Sequence, residues 1–436
     1  MKSWRDPFTR RDRFDRFDRF DRPNQLNRLV NRRSLLTRWF PAGLAWSLTS
    51  GWAKHSPAAS GRSPMGLLYW MPYDNDLAPA GPKILRWLTE AARRNPTLTL
   101  AVQADLPESG KMMRAVLGPL ATDRGVVEQS PEVTWIDSDN SANPRNFAEY
   151  LRWAVKRFPL ERWALVILGH GGRLDQISPD DHPNGHSDPP VNRPTLPSTG
   201  RTDRTPSWLT LADLVAALRE FQIRTNDGLE LLFLQNCNRS TLEILASLAP
   251  HAHWILASQK LLGVPNDYYD RFCDWLAQHP TANGQDAARA IVRYESPAMY
   301  RSYSIIHSQA FRELPSVLNP LIDRFLDASV TSSLSPLGYD RLRPYVYFNE
   351  AYTDAREFFQ LLSDQVPQAR TAHAALEHWF DRAIELHRSP QAPPNSGQGL
   401  GLWLPQTRTE LQQRQNLSLY RKTRLAQCLE TSLFPR

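Results

Sequence analysis

Two side chains of this sequence have the types and settings that covalent catalysis needs. One is His170, in the run Gly169-His170-Gly171-Gly172; the other is Cys237, in Gln235-Asn236-Cys237-Asn238-Arg239-Ser240, 67 residues further on. A histidine among glycines has little side-chain crowding, so a substrate can approach its imidazole. A cysteine just ahead of a helix faces unpaired N–H groups and the positive end of the helix dipole, and both lower a thiol pKa. If the two meet, the imidazole can assist attack by sulfur and then protonate a leaving amine. The amides of Gly171 and Cys237 would bind the developing oxyanion. Each residue alone has a plainer reading: a single cysteine at a strand end is usually core, and a single loop histidine is usually just exposed. Their joint position at two strand ends carries the functional reading. Cys273 and Cys428 fall in helical, partly apolar settings and read as structural.

Those ends belong to short apolar runs bounded by turn residues: 66–71, 98–103, 163–168, 229–234 and 253–257. Nearly continuous apolar runs suit strands buried on both faces. Helical spacing fills the gaps, over 82–93, 146–158, 211–221 and 240–248. Strands alternating with helices imply crossover units and a mostly parallel sheet flanked by helices. In such sheets reactive groups sit outside the carboxyl ends of the strands. The third run ends at His170 and the fourth at Cys237.

Residues 173–207 break the alternation. They hold Asp180-Asp181-His182-Pro183-Asn184-Gly185-His186 and then Pro189, Pro190, Pro194 and Pro197, which reads as a long, exposed, polar loop. His182 and His186 lack the spacing of a metal site. Beyond about residue 280 the pattern is mostly helical, over 285–294, 320–326, 355–362 and 371–387, with a late strand at 399–405. The expected organisation is a leader over 1–62, an α/β domain over 63–275 and a largely helical C-terminal region over 276–436.

The chain has 436 residues, 41% of them apolar and 22% charged, an ordinary globular balance. Its net charge of +7 is misleading, because residues 1–62 hold 14 Lys and Arg against 5 Asp and so carry +9, leaving −2 on the rest. A nucleic-acid-binding face is not indicated. Three cysteines make neither a disulfide framework nor a zinc site. The leader contains an Arg-Phe-Asp triplet repeat over 13–22, which has neither helical nor strand period. Asn31-Arg32-Arg33-Ser34-Leu35-Leu36 follows, then an uncharged stretch over 39–53 ending in Gly51-Trp52-Ala53. That is the layout of an export signal of twin-arginine type, too short to span a bilayer well. An amphipathic or disordered leader is the alternative. No other segment approaches 18 consecutive apolar residues, so no stable membrane span is expected.

At the motif level the sequence resembles the clostripain-type cysteine peptidases of the caspase-like clan. Tyr69 to Leu77 is similar to their first-strand motif, Ile167 to Gly172 to their histidine motif, and Leu234 to Asn238 with Leu242-Glu243 to their cysteine motif. Ile255 to Gln259, then Gly263 to Tyr269, resembles the segment that follows, and Gly399 to Pro405 a late family strand. The resemblance covers roughly 66–270 in order and continues more thinly to about 405. It implies a caspase-like α/β fold, a His170–Cys237 dyad and peptide-bond hydrolysis through a thioester, with polypeptide as substrate. One position departs. Where the family carries an aspartate associated with a pocket for basic side chains, this chain has Gln235, and an amide cannot pair a buried cation. Asp267 lies in the loop that also shapes the pocket and is the candidate substitute. Asp74 and Asp76, after the first strand, read equally as turn residues or functional ones. Calcium accompanies some family members, but no loop here has calcium-ligand spacing, and no cofactor is expected.

The leading reading is thus an exported cysteine endopeptidase. A catalytically silent scaffold of the same fold is the first alternative and a different thiol enzyme the second. No Gly-x-Ser-x-Gly occurs, so a serine-hydrolase elbow is unsupported. Family members are often matured by self-cleavage. Arg193, Arg201 and Arg204, in the long loop, are the basic candidates for such a cut.

Overall fold

The computed structural model describes residues 64–436, except 108–109, 119–120, 123–124, 127–130, 184–205, 332–333, 335, 391–397 and 435–436. The leader over 1–62, with its triplet repeat and the Arg32-Arg33 pair read as an export signal, lies outside the described residues, as do Arg193, Arg201 and Arg204.

The first half alternates as the sequence leads one to expect. In chain order it runs β1 (Met65–Pro72), α1 (Gly81–Arg94), β2 (Leu100–Asp105), β3 (Met112–Val116), β4 (Glu132–Ile136), α2 (Pro144–Arg157) and β5 (Arg162–Leu168). There follow β6 (Gln176–Asp180), β7 (Ser207–Thr210), α3 (Leu211–Thr225), β8 (Leu229–Gln235), α4 (Leu242–Leu248) and β9 (Ala252–Ala257). After them come α5 (Tyr269–Gln278), α6 (Gly284–Tyr294), β10 (Tyr303–His307) and α7 (Leu314–Thr331). The chain then forms β11 (Tyr345–Tyr347), β12 (Glu350–Asp354), α8 (Ala355–Gln365), α9 (Arg370–Ala383), β13 (Ile384–Arg388) and β14 (Gly401–Leu404).

Nine strands form the main sheet in the order β13-β10-β9-β8-β5-β1-β2-β3-β4. The central five, β9-β8-β5-β1-β2, are mutually parallel, and the outer strands on both sides pair antiparallel. Two-residue alternation feeds two cores. Leu68 and Trp70 of β1, with Leu165 and Ile167 of β5, pack against α2, α3 and the C-terminal helices. Leu67, Tyr69 and Met71, with Ala164, Val166 and Leu168, pack against α1, α5 and α6. Each fully buried large side chain contributes about 1.5–3 kcal/mol. Helix starts are set by capping residues: Thr210 and Asp213 form a capping box on α3, as Asn283 and Asp286 do on α6.

Three features differ from the sequence reading. The ends of the segment over 173–207 are ordered: β6 and β7 pair antiparallel as a ribbon, although Gln176-Ile177-Ser178-Pro179-Asp180 is too polar to announce a strand. The C-terminal region is not only helical, since β10 and β13 extend the main sheet; the helix read through 371–387 stops at Ala383. The late strand, β14, joins β11 and β12 in a separate three-stranded sheet. That small sheet stands over the cysteine loop, because the amide of Gly401 donates to the carbonyl of Ser240 (2.7 Å) and the Ser240 hydroxyl donates to the carbonyl of Gly399 (2.6 Å).

Candidate active site

β5 and β8 are neighbours in register, with Leu168 opposite Gln235. The loops that leave them, carrying His170 and Cys237, therefore start side by side. Asn236 ties them: its Nδ2 donates to the carbonyls of Leu168, Gly169 and His170 at 3.1–3.2 Å. Arg239, fully buried, ties them again. Its Nε donates to the carbonyl of Cys237 (3.1 Å), Nη2 to Gly172 (2.6 Å), and Nη1 to Arg173 (3.1 Å) and Gln176 (2.7 Å). The planar fork serves four carbonyls at once, which no other side chain can do. Sequence reasoning missed Arg239, because an arginine two residues after a cysteine looks like any surface charge.

The glycines after His170 serve packing more than access. A Cβ on Gly171 would press on the Cys237 carbonyl and come within 2.8 Å of Arg239 Nε; one on Gly172 would meet the Trp208 ring at 2.6 Å. His170 itself stays part-exposed, and its Nε2 lies 2.6 Å from Oδ1 of Asp76. That hydrogen bond leaves Nδ1 as the nitrogen free to accept a proton.

Cys237 does not stand at a helix N-terminus. The helix begins at Leu242, so the dipole argument for a lowered thiol pKa fails. Burial pushes the thiol up instead. The Leu262 backbone, the Arg239 guanidinium and the Tyr347 hydroxyl offset part of that rise. The amide of Leu262 donates to Sγ at 3.2 Å. The Tyr347 hydroxyl donates to the carbonyl of Gly171 (2.6 Å) and stands in hydrogen-bonding reach of the same sulfur. Cys273 and Cys428 are wholly buried in the packing, and burial raises both thiols.

Three solved structures share this architecture. A secreted C11 cysteine protease from Bacteroides thetaiotaomicron, in complex with an irreversible peptide inhibitor, matches with a TM-score of 0.57 and 17% identity, over 82% of this chain and 98% of that one. An inactive zymogen C11 protease from Parabacteroides distasonis matches at 0.58 and 16%, over 84% and 99%. A further secreted C11 structure from B. thetaiotaomicron, named iotapain, matches at 0.57 and 12%, over 83% and 99%. The chain has the C11 cysteine protease fold. No protein-family model and no curated protein matches its sequence.

Within this C11 fold the remaining residues of interest separate. Gln235 is buried and fully engaged: its Nε2 donates to Asn266 Oδ1 and to the Tyr269 hydroxyl, and its Oε1 accepts from the Tyr268 hydroxyl. Asn266 in turn donates to Glu295 Oε2 (2.7 Å). Glu295 is 4% exposed, and burial pushes its carboxyl up to about 8, so it is mostly neutral at pH 7. Nothing local points to Glu295, which lies 58 residues after Cys237 with no motif around it. Asp267 is exposed, and its Oδ1 accepts from the amide of Ser296 (3.0 Å). Asp74 is buried; its Oδ1 lies 3.0 Å from His182 Nδ1. Asp74, Asp105 and Asp180 are the carboxyls nearest to a calcium-like set. They do not fit one: Ser141 donates to both Asp105 and Asp180, and His182 donates to Asp180. Burial, with repulsion from Asp180 on Asp105 and from Asp74 on Asp180, keeps both carboxyls protonated further up the pH scale than usual. Among the described residues no group of three or more His, Cys, Asp or Glu is arranged to hold a metal, and no helix is long and apolar enough to cross a membrane.

Proposed function

We propose that this protein is an exported cysteine endopeptidase acting through His170 and Cys237. The supporting observation is the joining of the two loops at adjacent strand ends by Asn236 and Arg239, in a fold whose solved neighbours are cysteine proteases. In the proposed reaction the Cys237 thiol gives its proton to Nδ1 of His170 as sulfur attacks the peptide carbonyl carbon. The amides of Gly171 and Cys237 receive the oxyanion. As the C–N bond breaks, the imidazolium protonates the leaving amine and a thioester remains. Water, deprotonated by His170, attacks the thioester carbonyl; the C–S bond breaks and the proton returns to sulfur. Asp76 is the positioning residue that holds the histidine tautomer. The raised thiol pKa means that the resting sulfur keeps its proton and that proton transfer accompanies attack. The mechanism needs no cofactor.

The pocket residue Gln235 has its hydrogen bonds satisfied, Glu295 behind it is mostly uncharged, and Asp267 is exposed and accepts from the amide of Ser296, so none of the three offers a buried charge to a basic side chain. We therefore place the preference at neutral residues on the amino side of the cut. Cleavage of a peptide library by purified protein tests both parts. Cys237→Ala abolishes turnover, His170→Ala lowers it by about 10²-fold or more, and Cys273→Ala leaves it intact. Near-normal turnover by Cys237→Ala defeats the assignment. A complete absence of cleavage by the unaltered protein favours the silent scaffold, and strict cutting after Arg or Lys defeats the neutral pocket.

A further inference from the structure

The hairpin formed by β11 and β12 carries a feature that the dyad does not use. Tyr347 pairs with Glu350, so Phe348 and Asn349 alone make the turn. Both have left-handed backbone, at φ 51° and 61°. A two-residue turn of that kind favours Asn and Gly, and a bulky aromatic residue is strained there. Strain of this sort concentrates at functional positions. Phe348 is also 48% exposed, one of few large apolar residues on the described surface.

Its location gives such a residue a use. The neighbouring Tyr347 reaches the Gly171 carbonyl and the Cys237 thiol, and Tyr345 donates to Oδ1 of Asn238 (3.0 Å). Alternation along β11 thus sends the tyrosines to the two loops and brings the turn to the edge of the same site. The Phe348 ring meets Trp208 edge-to-face at 5.5 Å, and Trp208 lies directly against Gly172 of the histidine loop. An aromatic pair accordingly flanks the His170 side of the site.

We propose that Phe348 and Trp208 form a subsite for an aromatic or branched apolar side chain of the polypeptide substrate, at a position other than the one facing Gln235. This deepens the peptidase reading and rests on it. The full-length protein is assayed against a positional-scanning peptide library beside Phe348→Gly and Trp208→Leu. Glycine suits the left-handed turn, so Phe348→Gly melts no lower than the unaltered protein. The unaltered protein prefers Phe, Tyr or Leu over Gly at one position near the scissile bond by about tenfold in kcat/KM, the usual scale of apolar pocket discrimination. Each variant brings that ratio towards one, mainly through KM. A ratio that survives in both variants, a uniform loss of turnover with the ratio unchanged, or an active protein with no such preference overturns the subsite while leaving the peptidase reading in place. If the unaltered protein cleaves no library peptide, the peptidase reading fails and the subsite falls with it.

Discussion

Single residues decide how this site is set. A thiol that donates and accepts locally but is buried stays protonated near neutral pH, because desolvation opposes its charge more than nearby dipoles favour it. Alkylation of Cys237 by iodoacetamide in the free protein should therefore be slow at neutral pH. It should rise only above the ordinary thiol range, near about pH 8.5; a midpoint below that value contradicts the protonated resting thiol. Glu295 gives a second prediction, on stability. Its folded-state pKa, about 8, lies above its ordinary value of 4.5, so the folded protein keeps a proton that the unfolded chain has lost. The stabilising contribution is complete below the unfolded value and disappears as pH rises through the folded one. Denaturation should show stability falling between about pH 4.5 and pH 8, by at most about 5 kcal/mol from this residue. Glu295→Gln should flatten the fall. Glu243, Asp105 and Asp180, also raised by burial, account for the slope that remains. Equal slopes for variant and parent would exclude Glu295 as a contributor.

Between elements, the decisive contact is the arginine clamp. Arg239 is fully buried and serves only backbone carbonyls of the histidine and cysteine loops in the bonds described above. Replacing it with a side chain of similar length but no donors strands those carbonyls in the interior. Arg239→Met should cost about 3 kcal/mol or more of stability and lower kcat, because the loops lose their common anchor. Arg239→Lys should recover part of the stability, since one ammonium cannot span the fork. A stable, fully active Arg239→Met protein would show that Asn236 and the strand register suffice. The small sheet of β11, β12 and β14 is the second such device. It reaches the site from over 100 residues beyond Cys237 and places tyrosines on both loops.

At the scale of the molecule, the charge is unevenly placed: the excess of Lys and Arg sits in residues 1–62, and the remainder is near neutral. Two of the solved neighbours are described as secreted; for this chain export is the proposal made above, and its own leader supplies the test. Changing Arg32 and Arg33 together to Lys in a native host should hold the precursor inside the cell if the twin-arginine route is used. Unchanged export would point to the general secretory route, and no export of either form would dispose of the signal reading.

What the sequence determined by itself was local or periodic. The apolar runs became β1, β2, β5, β8 and β9 within two residues of their expected ends, because a strand buried on both faces tolerates little but apolar side chains. The ends of β5 and β8 followed from those runs, and with them the neighbourhood of His170 and Cys237. The rest depended on partners far away in the chain. β6 and β13 are too polar to announce themselves and exist because a neighbouring strand supplies their hydrogen bonds. Arg239, Tyr347, Trp208 and Glu295 carry no motif; their meaning comes from what surrounds them once the chain has closed. The thiol shows the limit most plainly. Sequence placed Cys237 before a helix and so expected a lowered pKa, whereas the fold buries the sulfur beneath Leu262 and Tyr347 and raises it. Burial is a property of the tertiary structure, and at this site it outweighs the backbone dipoles that a local reading can see.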